Sequence, residues 1–169
     1  MFVGFVAMDD TIRIPVLTED LGVQKDADSS PAYRVYGDSG LLTAAGGLCA
    51  FKDEGTITGA TNASPIVIAS VGHNLTTGMR VTISGVLGNT VANGSFNITL
   101  VDSNYFSLDG SVGNGSYAGG GSWHVSGLYD AAITPTIATQ FAVGQNFTVI
   151  VTPIMSGTSE PQSFTFGVV

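Results

Sequence analysis

Charge is scarce in this chain. Only 11% of its 169 residues are Asp, Glu, Lys or Arg, against roughly 25% in a typical globular domain. The five bases, Arg13, Lys25, Arg34, Lys52 and Arg80, form no run, and the net charge is −8. Nucleic-acid binding needs clustered Lys and Arg to release counterions from phosphates, so no nucleic-acid partner is expected. Cysteine is nearly absent too. Cys49 stands alone, which excludes a disulfide within the chain. Inside Gly47-Leu-Cys-Ala-Phe51 it reads as a small core hydrophobe, since a reactive thiol needs an electropositive neighbourhood. Long apolar runs are missing as well. Met1-Phe-Val-Gly-Phe-Val-Ala-Met8 stops at Asp9-Asp10, carries no basic leader and is too short to span a bilayer. It reads as a first β-strand, with no membrane partner and synthesis in a cytoplasm. The strong helix formers Glu, Lys, Leu, Arg and Gln are sparse, which argues against long helices.

What fills the space is Gly, Ser, Thr and Asn around an apolar content of 44%. Strand candidates recur about every 8–12 residues with turn residues between them, the pattern of sandwiches and barrels. Phe2–Met8 comes first. Thr11–Leu17 follows, with Ile12, Ile14 and Val16 on one face and Pro15 marking an edge strand. Leu21–Pro31 reads as a polar loop and Ala32–Tyr36 as a strand that turns at Gly37-Asp-Ser-Gly40. Leu41–Lys52 reads as a strand broken near Gly46-Gly47.

Composition changes after Asp53-Glu-Gly55. Residues 1–55 hold nine acids against four bases, whereas residues 56–125 hold only Asp102, Asp109 and Arg80. This middle segment contains six strand candidates: Thr56–Thr58, Pro65–Ala69, Met79–Ser84, Ser95–Val101, Tyr105–Leu108 and Ser122–Val125. Asn93-Gly94, Asp109-Gly110 and Asn114-Gly115 are read as tight turns using positive φ. The earlier style then returns in Gly127–Ile133, Phe147–Thr152 and Phe164–Val169, with a helical turn or crossing loop within Ile137–Gly144. Residues 1–55 and 126–169 together make about 100 residues, the size of an immunoglobulin-like sandwich. The expected fold class is therefore all-β: an Ig-like β-sandwich, 1–55 plus 126–169, carrying an inserted small β-barrel or β-sandwich at 56–125, preferred to one continuous sandwich of all 169 residues.

Motifs that could carry chemistry resolve into structural readings. Gly37-Asp-Ser-Gly40 matches the nucleophile turn of trypsin-like proteases, which requires a preceding His. Both His73 and His124 come after Ser39, so the motif reads as a hairpin turn. Asp26-Ala-Asp-Ser-Ser30 starts like a calcium loop but has Pro31 where Gly belongs and Gly37 where the closing Glu belongs. His73 and His124 lack a paired ligand at short spacing, so no zinc site is expected. Six Asn-x-Ser/Thr triplets begin at Asn62, Asn74, Asn93, Asn97, Asn114 and Asn146, as chance provides in such a composition. No enzyme, metal or cofactor is expected. Trp123, Tyr117 and Tyr105 are candidates for a sugar-binding surface, because aromatic faces are amphipathic. Core packing is the competing reading for each.

Two resemblances cover nearly the whole chain. Phe2–Phe5, Asp10–Pro15, Asp26–Gly37, Gly127–Tyr129, Phe141–Val151 and Phe164–Val169 resemble short β-sandwich proteins encoded in tailed-phage structural gene clusters. His73–Gly85, Ala92–Gly94 and Tyr105–Gly110 resemble small β-barrel modules embedded in phage tail and surface proteins. A related barrel is the first catalytic-cysteine half-domain of ubiquitin-activating enzymes, a part without catalytic residues. The resemblance implies a bacteriophage virion structural protein on the outer surface, made in the host bacterial cytoplasm. A capsid decoration or cement protein contacting the major capsid protein is the expected role. A homo-oligomer is expected, with a trimer suited to a capsid's local threefold positions. The alternative is a tail- or baseplate-associated module that recognises host-surface glycan.

Overall fold

The computed structural model describes residues 1–169 apart from the side chain of Ala138. The chain begins with β1 (Phe2–Val6), β2 (Ile12–Leu17), β3 (Glu19–Asp20), β4 (Val23–Gln24), β5 (Ala32–Gly37), β6 (Gly40–Leu48) and β7 (Ala50–Phe51). Next come β8 (Glu54–Thr56), β9 (Gly59–Ala60), β10 (Ile66–Ala69), β11 (Arg80–Ser84), β12 (Gly94–Asp102), β13 (Tyr105–Leu108) and β14 (Ser122–Val125). It ends with β15 (Leu128–Ile133), β16 (Asn146–Thr152), β17 (Ile154–Met155), β18 (Thr158–Ser159) and β19 (Gln162–Val168). Helical structure among the described residues is limited to single 3-10 turns at Thr90–Ala92 and Ile137–Thr139, so the protein is all-β. Among the described residues no helix is long and apolar enough to cross a membrane.

Two compact units result, Met1–Phe51 with Gly127–Val169, and Lys52–Ser126. The border at Phe51 precedes the change in composition, because Glu54 and Gly55 already pair with His124 and Trp123. Strand pairing, not composition, sets it.

The discontinuous unit is sandwich-like. A five-stranded sheet runs β1-β19-β16-β5-β6, and a three-stranded sheet runs β2-β15-β7. All pairings are antiparallel except β1 with β19. Alternation puts Val35, Phe147, Val149, Val151, Phe164 and Phe166 from one sheet into one core with Ile14, Val16, Tyr129, Ala131 and Ile133 from the other. Phe141, Phe147 and Phe166 form a ring cluster with centroids 4.6–5.8 Å apart. Each such burial contributes about 1.5–3 kcal/mol. Pro15 lies in β2, an edge strand, where its missing N–H takes nothing from a ladder.

β6 runs to Leu48, and its ladder with β5 is irregular where the glycines lie: Leu42 opposes Val35 and Gly47 opposes Tyr33, with residues 43–46 bulged between them. The polar stretch after Leu17 also contains a small ribbon, Glu19–Asp20 with Val23–Gln24, joined through Leu21 at φ 52°.

The continuous unit is a barrel. Its sheet runs β8-β14-β11-β12-β13-β10-β9. β8 and β9 are separated only by Ile57 and Thr58. Ile57 N–H donates to Gly121 O at 3.0 Å on one flank, and Thr58 N–H donates to Ala69 O at 2.9 Å on the other. One bent segment therefore joins both ends of the sheet and closes it, which removes free edges. Ile66, Ile68, Val81, Ile83, Ile98, Phe106, Leu108 and Trp123 fill the interior.

Asn93 and Asn114 are not the positive-φ turn residues that their Asn-Gly pairs suggest; Asn93 is extended, at φ −78°. Their amides act as braces instead. Asn93 Oδ1 accepts from Val86 N–H at 2.8 Å and its Nδ2 donates to Val86 O at 2.9 Å. Asn114 Nδ2 donates to Thr90 Oγ1 at 2.9 Å. Asn89, fully buried, donates to Thr61 O at 2.8 Å and accepts from Asn114 N–H at 3.1 Å. A side chain that satisfies local backbone groups substitutes for a tight turn.

Candidate functional site

The three aromatic candidates do not form one exposed surface. Trp123 sits on β14 opposite Ile83 and Gly55 and is only 2% exposed. Its indole N–H donates to Ser70 Oγ at 2.7 Å, and its ring meets Phe106 and His73 edge-on. A Cβ at position 55 would lie 2.8 Å from the Trp123 ring, so the indole requires glycine there. Trp123 is a core residue with a satisfied polar handle. Tyr117 is half-buried, and its hydroxyl proton is shared between Ile57 O at 3.0 Å and Gly120 O at 2.9 Å. Tyr105, 45% exposed at the start of β13, is the one candidate with an open face. A sugar-stacking groove built from all three is thereby corrected, because the strand's alternation turns Trp123 inward.

The chemistry-bearing motifs are occupied by structure. Asp38 and Ser39 are the two turn residues between paired Gly37 and Gly40. His73 is buried in the barrel: Nδ1 accepts from Leu75 N–H at 3.0 Å, so Nε2 carries the proton donated to Asp102 O at 3.1 Å. Both ring nitrogens are thus engaged in hydrogen bonds. Asp26 Oδ1 accepts from Gly127 N–H at 2.7 Å. Asp28 accepts from Ser156 N–H at 3.2 Å and Gly157 N–H at 2.8 Å. These carboxylates staple the 25–31 loop to the sandwich. Among the described residues no three His, Cys, Asp or Glu side chains converge for a metal.

The sandwich holds a second polar feature that the sequence did not single out. Asp130 is 5% exposed on β15; its Oδ2 accepts from the Arg13 guanidinium at 3.1 Å, and its Oδ1 has no partner. Burial pushes the nearby Cys49 thiol up to about 11, and the Asp130 carboxylate adds to the shift. Cys49 is thus a protonated core group at neutral pH. Burial likewise raises Tyr129, whose hydroxyl accepts from Ala27 N–H at 3.0 Å.

The sandwich surface carries an apolar hollow and an exposed aromatic pair. Met8, Asp9, Ile137, Phe141, Ala142 and Val143 surround a hollow of about 480 Å³, with Ile137 and Val143 largely exposed. On β1, Phe2 and Phe5 are 53% and 67% exposed. The strand reading hid this pair, since residues three apart normally face opposite ways. A register irregularity between Phe2 and Gly4 brings them together. The one sequence signal was the glycine between them. No family model matches the chain, and no curated protein is similar to it in sequence.

Proposed function

We propose that this chain is a non-enzymatic structural protein of a tailed-bacteriophage virion, a decoration or cement protein on the outer head surface. In this reading the discontinuous unit is an Ig-like sandwich that binds the major capsid protein across capsomer boundaries. The barrel is an inserted module presented to solvent. The observation that carries the reading is the apolar hollow on the sandwich, beside a barrel that carries little charge. The barrel is a closed sheet with little charge, suited to exposure in many copies. The sandwich has the apolar hollow at Met8, Ile137 and Val143, the kind of patch that marks a protein contact. Covering apolar area there at about 25 cal/mol per Å² supplies adhesion, offset by the ordering needed to bind.

The test is attachment. Purified chain added to phage heads that lack it saturates a fixed number of sites and raises the temperature at which the heads rupture. Ile137→Asp and Val143→Asp weaken that attachment by at least about tenfold. Heads that take up no chain, with tails that do, would replace the head reading by the tail-associated one.

A further inference from the structure

We infer that two copies of this chain pair through β1, edge to edge and antiparallel, about a two-fold axis between Val3 and Gly4. This inference goes beyond the virion role and does not rest on it.

β1 is the outermost strand of the five-stranded sheet, and its far flank carries no strand. Such a flank offers backbone N–H and C=O groups as a template for another chain. Other edges of the sandwich are guarded. β2 carries Arg13 and Pro15, β7 is two residues long, and β6 departs from its ladder by several residues between Leu42 and Gly47, whereas β1 bulges by one. β1 has no such guard by charge or proline: residues 1–8 contain no Asp, Glu, Lys, Arg or Pro.

The occupant follows from symmetry and charge. Phe2 and Phe5 share one face, with rings 5.2 Å apart at 67°. Phe5 is held in place, because its ring lies against Gly167, where a Cβ would come within 2.5 Å. In an antiparallel pair, residues directly opposite one another lie on the same face. Val6 belongs to the core, and Val3 packs against it. The register that opposes Phe2 to Phe5 of the second copy keeps both core-side valines on the inner face and gathers four rings on the outer one. Sliding it by one residue one way sets each phenylalanine opposite a core-facing valine, and sliding it the other way sets Phe2 opposite Gly4 and separates the ring pairs. Phe-Val-Gly-Phe is thus self-complementary in the way a two-fold contact demands. A Cβ at Gly4 would meet nothing within 4 Å, which leaves the axis clear. The chain carries a net −8, so copies repel one another, most strongly through the acid-rich sandwich. β1 offers a contact there without charged side chains. Antiparallel pairing also sends the two Asp9-Asp10 pairs to opposite ends of the shared ribbon.

Sedimentation velocity of the full chain across the micromolar range tests this. The expected result is a dimer that Phe2→Ser or Phe5→Ser dissociates, raising the dissociation constant at least about tenfold. Both side chains are largely exposed, so the variants stay folded, with the parent's strand-rich circular dichroism. Register is read separately: Phe2→Cys chains mixed with Phe5→Cys chains cross-link on oxidation, whereas neither does so alone, and Cys49 is buried and silent. A monomer throughout the range, a trimer, or a dimer that survives Phe5→Ser would overturn the pairing. Each would leave attachment to phage heads untouched.

Discussion

The barrel and the sandwich solve the same problem, what to do with the ends of a sheet, in opposite ways. The barrel closes on itself through residues 54–60, which bond to β14 on one flank and β10 on the other. The sandwich leaves two sheets open and keeps charge at β2 but not at β1. Their interiors differ as well. The barrel packs its indole against His73 and Ser70, with all three polar handles satisfied. The sandwich buries an Asp130 oxygen without a partner beside a thiol that holds its proton. The closed unit has no free sheet edge among the described residues, and the open one has several.

The sharpest way to break this comparison is to damage one unit alone. Trp123→Ala should cost the barrel about 3–5 kcal/mol, with the sandwich transition unchanged in circular dichroism. Because Trp123 is the single tryptophan, parent fluorescence follows the barrel alone. Loss of both transitions together would show that the two units fold as one. Asn89→Ala should cost about 1–3 kcal/mol, since it strips two bonds from a buried site, and should again move only the barrel's denaturant midpoint. Asp28→Ala should cost the sandwich about 1 kcal/mol, because the carboxylate is exposed. It should speed hydrogen exchange at Ser156 and Gly157.

The smallest effect separates the units by pH. Folded Cys49 keeps its proton to about pH 11, against 9.0 for an ordinary thiol. That contribution is complete below pH 9 and is lost as pH rises toward 11. Tyr33 and Tyr129 are also raised by burial, which acts in the same direction at higher pH. Alkaline titration should therefore lower the sandwich melting temperature first, and Cys49→Ala should flatten the decline between pH 9 and 11.

Much of the fold could be read from the residues because alternation and turns are local properties. Ile12, Ile14 and Val16, the hairpin at Gly37–Gly40 and the edge position of Pro15 all follow from single-strand rules. The rest depends on partners distant in sequence. Asn93 and Asn114 look like turn residues until Val86 and Thr90 are brought beside them. Trp123 looks like a binding aromatic until Ser70 and Gly55 enclose it. Phe2 and Phe5 look like opposite faces of one strand until β19 imposes its irregular register. The closure of the barrel is equally invisible locally, since it rests on one segment serving two neighbours.

The central claim is that the sandwich holds a phage head while the barrel faces solvent. Cryo-electron microscopy of intact virions tests it most directly. The account predicts density for the chain at every equivalent position of the icosahedral shell, with the Ile137 and Val143 hollow against the major capsid protein. A few copies at the neck or tail, or a barrel seated on the shell with the sandwich free, would contradict it.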